Sequence, residues 1–157
     1  MRITTKGRYG IRAVVVLAGS TDGKPTAISK IAQDEAVSAE FLEQIFFRLK
    51  KSGLISSLRG PHGGFVLGRK ADEISLLDIL TAVEEAVAPA PCADPETDFE
   101  CPREEACPAH PMWQELSDII NGYLSHVTVK DLLERKESYF PELFAGLHHP
   151  QKATLRA

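Results

Sequence analysis

Two helical patterns separated by only two residues constrain the fold more than any other feature of the sequence. The first helix is predicted to be capped by Ser29 and to run through Glu35; the second is capped by Ser38 and runs to about Ser52. A turn this short between two helices predicts a helix-turn-helix unit, whose second helix enters the major groove of DNA. The second helix carries one apolar stripe at helical spacing: Phe41, Leu42, Ile45, Phe46 and Leu49.

A glycine-rich hairpin is predicted directly after this unit. Gly53 stops the helix, and strands at residues 54–57 and 65–67 flank a tight loop at residues 58–64. A hairpin in this position is a wing, and arginine suits a narrow, electronegative minor groove, so Arg59 is the candidate minor-groove probe. The loop has neither the Gly-Lys-Ser/Thr ending nor the following helix of a phosphate cradle, which disfavours a nucleotide site.

Three further elements complete the predicted amino-terminal domain. Thr4 or Thr5 caps a first helix that ends near Gly19, and residues 26–28 form a short strand. Ser75 begins a helix with capping-box form that runs to about Ala88.

The charge is distributed unevenly along the chain. Residues 1–70 contain twelve Lys/Arg against five Asp/Glu, a balance of +7, whereas residues 71–157 contain six against seventeen, a balance of −11. A basic half is what a phosphate-binding surface requires, so double-stranded DNA is the expected partner. No apolar run approaches the roughly 20 residues that span a bilayer, and no signal-peptide core follows the first residues, so we expect a cytoplasmic protein.

All three cysteines lie in one acidic loop, at Cys92, Cys101 and Cys107, and His110 follows. An odd number of cysteines disfavours a complete disulfide framework and leaves thiols available to a metal. Thiolate and imidazole suit both iron-sulfur clusters and zinc, and the spacing Cys-x8-Cys-x5-Cys-x2-His lies close to that of three-cysteine, one-histidine zinc fingers. Both metals stay open at this point.

A long helix beginning near Pro111 carries a second apolar stripe. A winged-helix domain already has a core, so this stripe predicts a matching helix from a second copy of the chain, and packing back on its own domain is the alternative. Thr128 caps one more short helix. The stripe residues are Trp113, Leu116, Ile119, Ile120, Tyr123, Leu124 and Val127.

The fold class predicted from these patterns is mainly α with a small β wing, a winged helix-turn-helix domain plus a long dimerisation helix. The DNA-binding domain covers residues 1–88, the cysteine-rich loop 89–110, the dimerisation helix with the short helix after it 111–137, and a flexible tail 138–157.

Three stretches of the sequence resemble the Rrf-type winged-helix transcription regulators. The similarity rests on Phe41-Leu-Glu-Gln-Ile-Phe, on Ser52-Gly-Leu-Ile-Ser-Ser-Leu-Arg-Gly-Pro and on Gly63-Gly-Phe-Val-Leu-Gly68, and it covers roughly residues 1–134. That family includes the iron-sulfur cluster regulator IscR, whose branch this chain resembles most, and the nitric-oxide sensor NsrR. The resemblance implies a non-enzymatic, DNA-binding homodimer with a cluster loop between the wing domain and the dimer helix, which would meet RNA polymerase at promoters.

The resemblance also implies roles for individual residues. Tyr9 would contact the DNA backbone, and Arg59 would probe the minor groove. Glu43 and Gln44 would read bases, which agrees with the pairing of glutamate to cytosine N4 and of glutamine to adenine. Glu40 departs from the small hydroxyl side chain that is usual in relatives. The full candidate DNA-binding set is Lys6, Tyr9, Ser38, Glu40, Glu43, Gln44, Arg48, Lys51, Arg59, Gly60 and His62.

In the cysteine loop, the resemblance makes Cys92, Cys101 and Cys107 cluster thiolates and His110 the fourth ligand of a [2Fe-2S] cluster. The first interval is longer than the Cys-x5-Cys-x5-Cys pattern of IscR, so a [4Fe-4S] cluster and zinc remain alternatives. Arg8, at the place where nitric-oxide sensors offer an aspartate, disfavours the [4Fe-4S] form.

These residues predict a regulator whose cluster state controls operator binding of iron-sulfur assembly or stress genes. The alternatives are a repressor that senses nitric oxide or redox state and a zinc-stabilised winged-helix regulator. An iron-sulfur enzyme or electron carrier is disfavoured because the sequence has no substrate-pocket motif, no nucleophile with a neighbouring base and no cofactor fingerprint.

Overall fold

A computed structural model describes residues 3–20, 24–60, 63–94 and 97–134 of the chain. The fold is mainly helical with one two-stranded antiparallel wing, as the sequence predicts. In chain order the elements are α1 (Thr5–Ala18), α2 (Ile28–Asp34), α3 (Ala39–Lys51), β1 (Ile55–Leu58), β2 (Gly64–Leu67), α4 (Leu76–Ala82), α5 (His110–His126) and α6 (Val129–Glu134).

Four helices begin where a hydroxyl side chain caps them, as predicted. The hydroxyls of Thr4, Ser38 and Ser75 accept from backbone N–H groups in the first turns of α1, α3 and α4. At Ser75, the Asp78 carboxylate accepts in return from the cap N–H at 2.9 Å and so completes a capping box. Thr128 and Asp131 repeat the arrangement at the start of α6.

The start of α2 differs from the prediction. Ser29 lies inside the helix, and the cap position is Ala27, which makes no side-chain capping bond. The predicted strand at residues 26–28 is wrong for the same reason, since Ile28 already belongs to the helix. Only Thr26 is paired, and its N–H and C=O each bond to Phe65 at 2.9 Å, which fastens the wing to the start of α2.

The end of α4 also differs, because the helix stops at Ala82 instead of continuing to about Ala88. Glu84 adopts a left-handed backbone conformation with φ of 54°, and the next N–H, that of Glu85, bonds to the Leu80 carbonyl at 2.9 Å. These are the features of a Schellman cap, which normally places glycine at the left-handed position. A glutamate there gives no sequence signal for the end of the helix.

The core forms around α1, which packs against α3, α4, α6 and β2. The apolar face of α3 is buried as predicted, and the Phe46 ring meets Phe65 of the wing edge-on, with 4.7 Å between ring centroids. The wing pairs Ile55 with Leu67 and Leu58 with Gly64. The core is therefore shared by the helix-turn-helix unit, the wing and α6.

The long helix α5 has most of its apolar side chains at or near the surface. Its only buried residues are His110 and Ser117, whereas Met112 and Ile119 are 47% and 43% exposed. Within the ranges given above, no helix combines the length and the hydropathy needed to cross a membrane.

Candidate nucleic-acid interface and cysteine loop

The face of α3 that points away from the core carries the predicted base readers. Leu42, Ile45 and Leu49 are buried beneath the helix, which fixes its rotation about its own axis. Glu40, Glu43 and Gln44 are exposed on the opposite side. Ser38 is also exposed, and its hydroxyl accepts from the Phe41 N–H at 3.2 Å, so it sets where the helix begins.

Arg48, one turn further along α3, is held by an ion pair with Glu84, just beyond α4. The Lys6 ammonium donates to the backbone carbonyl of the same Glu84 at 3.0 Å. The pKa of the Glu84 carboxyl is lowered, first by its hydrogen bond to Arg48 and then by the charges of Arg48, Lys6 and Lys51. Three cations of the predicted DNA surface thus surround one carboxylate, which is ionised at neutral pH.

Tyr9 lies on α1 beside α3. Its ring meets Phe41 edge-on, with 5.8 Å between centroids, and the Arg12 guanidinium lies 5.3 Å from the ring centroid. Arg12 is also paired with Glu35 at the end of α2. Tyr9 therefore contacts α3 directly, and it is linked to the end of α2 only through Arg12 of its own helix.

The wing presents Arg59 to solvent at the end of β1. Gly60 has a φ of 124°, which favours glycine, and its carbonyl accepts from the Gly63 N–H at 2.9 Å to close the turn. The Lys50 ammonium donates to the Ser57 hydroxyl at 2.7 Å, which ties α3 to the wing. His62 lies outside the described residues.

Glu85 makes a long-range contact near the site that the sequence does not predict. It is buried, and its carboxylate accepts from the Thr4 N–H at 2.7 Å and from the Thr4 hydroxyl at the amino end of α1. A carboxylate is favourable there because the unpaired N–H groups of a helix start carry partial positive charge. A Cβ on Gly7 would lie 2.9 Å from the Glu85 carboxyl carbon, so any other side chain there would displace the carboxylate from this position. Glu84 and Glu85 together form an acidic junction between α4 and the cysteine loop.

Cys92, the first cysteine of the loop, lies seven residues after the acidic junction. Cys92, Cys101 and Cys107 are free thiols, each partly buried. The loop is anchored to α5 by the Ser117 hydroxyl, which donates to the Ala93 carbonyl at 2.8 Å.

His110 is the first residue of α5 and is buried. Its Nε2 lies 3.2 Å from a Glu104 carboxylate oxygen, and its Nδ1 is buried without a hydrogen-bond partner among the described residues. A buried, unpaired ring nitrogen is available to a metal. The donor types therefore fit a metal or cluster, although no three His, Cys, Asp or Glu side chains of the described ranges converge on one point.

Comparison with known proteins extends over most of the chain. Residues 3–135 match the Rrf2 family, which is described as iron-dependent transcriptional regulators. The transcriptional regulator IscR of Photorhabdus laumondii is 38% identical over 137 residues, which are 87% of this chain and 82% of that protein. Among solved structures, CymR, the global cysteine regulator of B. subtilis, has a TM-score of 0.69 at 31% identity and covers 87% of this chain and 99% of its own. IscR of T. potens has a TM-score of 0.67 at 27% identity, with 86% and 88% coverage.

Proposed function

Because this chain belongs to the Rrf2 family of DNA-binding transcription regulators, we propose that its cysteine loop holds an iron-sulfur cluster whose state controls operator binding. The observation that carries the proposal is the acidic junction, which contacts α3 and α1 only a few residues before Cys92. A change in the loop can reach the DNA surface through these contacts. The protein would act in the cytoplasm and, at promoters, beside RNA polymerase.

For DNA binding, we assign α3 to the major groove and the wing to the minor groove. Glu43 and Gln44 would read bases, Arg59 would enter the minor groove, and Glu40 would modulate the sequence preference. Positioning contacts to phosphates would come from Lys6, Tyr9, Ser38, Arg48, Lys51 and the turn at Gly60 and His62.

For the cluster, we assign Cys92, Cys101, Cys107 and His110 as ligands of a [2Fe-2S] centre. Three thiolates and one imidazole are an iron-sulfur donor set, and the unpaired Nδ1 of His110 leaves one ring nitrogen for iron. A bound cluster supplies an oxidisable and removable group, which is the property that a sensor requires. Because the donors do not converge in the described structure, the loop between Ala93 and α5 has to rearrange to bind one cluster.

The coupling we propose runs through Glu84. The Glu84 carboxylate is paired with Arg48, which would otherwise bind a DNA phosphate. Conformations of the cysteine loop that keep Glu84 in place therefore weaken DNA binding. Because the pKa of Glu84 is lowered, neutral pH does not release Arg48. Release has to come from DNA or from movement of the segment that leads to Cys92.

We expect Glu84→Gln to raise DNA affinity by roughly two- to fivefold, the scale of an exposed ion pair, because Arg48 loses its carboxylate partner and becomes free to bind phosphate. Fluorescence anisotropy with a labelled duplex at fixed salt measures the change. Glu73→Gln is the matched control, since Glu73 is also exposed and pairs with Lys70 at 3.8 Å. Equal effects of the two substitutions, or weaker binding by Glu84→Gln, would contradict the coupling.

We also propose that α5 pairs with α5 of a second copy. The exposed Met112 and Ile119 and the partly exposed first half of the apolar stripe, at Trp113, Leu116 and Ile120, give the area that such a dimer would bury. The second half of the stripe packs on the core of its own chain, through Tyr123, Leu124 and Val127. Ile119→Glu would place an unpaired charge in that interface, and we expect a monomer of about half the mass in sedimentation velocity. Leu133→Glu is the control, because Leu133 is 38% exposed on α6; a dimer that survives Ile119→Glu would contradict this pairing.

The cluster itself is tested by the absorption spectrum of anaerobically purified protein. We expect visible charge-transfer bands and stoichiometric iron and sulfide. A colourless protein that contains one zinc ion would instead support the zinc-stabilised regulator.

A further inference from the structure

Phe47 is the most exposed large apolar side chain of the described ranges, with 70% of its surface accessible. It lies on α3, where it follows the buried Phe46 and precedes Arg48. A phenylalanine left in water forgoes the roughly 1.5–3 kcal/mol that its burial would contribute, so a partner that covered the ring would gain part of that stabilisation. No residue of the described core covers the Phe47 ring.

The position of Phe47 identifies that partner. It follows Gln44 by three residues and Glu43 by four, the spacings that bring helix side chains onto one face. Together with Glu40 and Arg48, these three residues line one shallow, open concavity. Its neighbours there are charged or polar, so Phe47 is not part of an extended apolar patch of the kind that protein partners cover.

We propose that Phe47 is a specificity-determining residue, whose ring packs against the C5-methyl group of a thymine in the major groove. This inference rests on the proposed placement of α3 in that groove. The thymine methyl is the one apolar group among the base-edge features that the major groove displays, and phenylalanine is among the side chains that contact it. The chain would therefore prefer a T·A base pair at the position that Phe47 contacts.

The helix geometry locates this base pair. Three residues of α-helix rise about 4.5 Å, and successive base pairs are about 3.4 Å apart, so the thymine lies within about two base pairs of the bases read by Glu43 and Gln44. Two cations, Lys50 and Lys51, follow Phe47 in the last turn of α3. They favour a polyanion over a basic or apolar protein surface as the occupant.

The test uses the full-length protein and a duplex selected by it from a randomised library. Each thymine in the bound site is replaced in turn by deoxyuridine, which removes one methyl group and leaves every hydrogen-bonding group in place. We expect one thymine in each half-site at which the replacement weakens binding about fourfold, the effect of one buried methyl group. Phe47→Ala should bind the thymine and deoxyuridine duplexes equally.

Phe99→Ala is the matched control, because Phe99 is 51% exposed and belongs to the cysteine loop, not to α3. It should keep the full thymine preference, and circular dichroism melting should show both variants folded. A thymine preference that survives in Phe47→Ala, or a parent protein indifferent to every deoxyuridine, overturns the inference while leaving DNA binding intact. A parent protein that enriches no sequence from the library overturns the DNA-binding assignment of α3 and this inference with it.

Discussion

Phe46→Ala is expected to lower the free energy of unfolding by about 3–5 kcal/mol, the range for removing a buried phenyl ring. Phe46 is 1% exposed, and its ring meets the Phe65 ring of the wing, so the change leaves a cavity where α3 and the wing join. A domain of this size has only about 5–15 kcal/mol of stability, so this loss is a large part of the total. Urea denaturation followed by circular dichroism, at one protein concentration, measures it.

The neighbouring residue provides the control for that experiment. Phe47→Ala removes the same ring from the next position of the same helix, but from a side chain that is 70% exposed. Its unfolding free energy should change by no more than about 0.5 kcal/mol, as for other surface positions. Similar losses in both variants would mean that α3 is rotated relative to the structure, and the assignment of its DNA-facing side would then be wrong.

Cys101→Ser and Cys107→Ser are each expected to remove the visible absorption of the anaerobically purified protein almost completely. Each substitution replaces a proposed thiolate ligand with a hydroxyl that binds iron poorly, and both thiols are only partly buried, so the fold should persist. Absorption spectra with iron and sulfide analysis measure the cluster, and thermal melting measures the fold.

The two ends of α5 provide a matched pair for the fourth ligand. His110→Ala should destabilise or change the cluster spectrum, because His110 is the buried histidine beside the cysteine loop. His126→Ala, at the exposed carboxyl end of the same helix, should leave the spectrum unchanged. Retention of normal iron and sulfide content after both cysteine substitutions would contradict the proposed ligand set.

The parts of the fold that the sequence predicts well are those set by local rules. The apolar stripe of α3 determines which side faces the core, and hydroxyl caps at Thr4, Ser38 and Ser75 determine where helices begin. Gly53, with a φ of 73°, ends α3 in the left-handed conformation that glycine favours. The helix-turn-helix unit and the wing follow from these signals.

The features that escaped prediction depend on contacts between distant residues. Ala27 begins α2 without a side-chain cap, next to Thr26, which is paired with Phe65 of the wing, and Glu84 ends α4 at a position where sequence rules expect glycine. The partner of Glu85 is Thr4, 81 residues earlier in the chain. Hydrophobic periodicity does not predict such a contact. The acidic junction and its ion pair with Arg48 are therefore seen only in the structure.

The most direct test of cluster control is the affinity for one selected operator duplex, measured at a single salt concentration with cluster-loaded protein and with protein stripped of its metal. The two forms should differ by roughly fivefold or more, the scale of a typical coupling between two sites, and Cys107→Ser should match the stripped form. Equal affinities of the loaded and stripped forms on every selected sequence would contradict control of DNA binding by the cysteine loop.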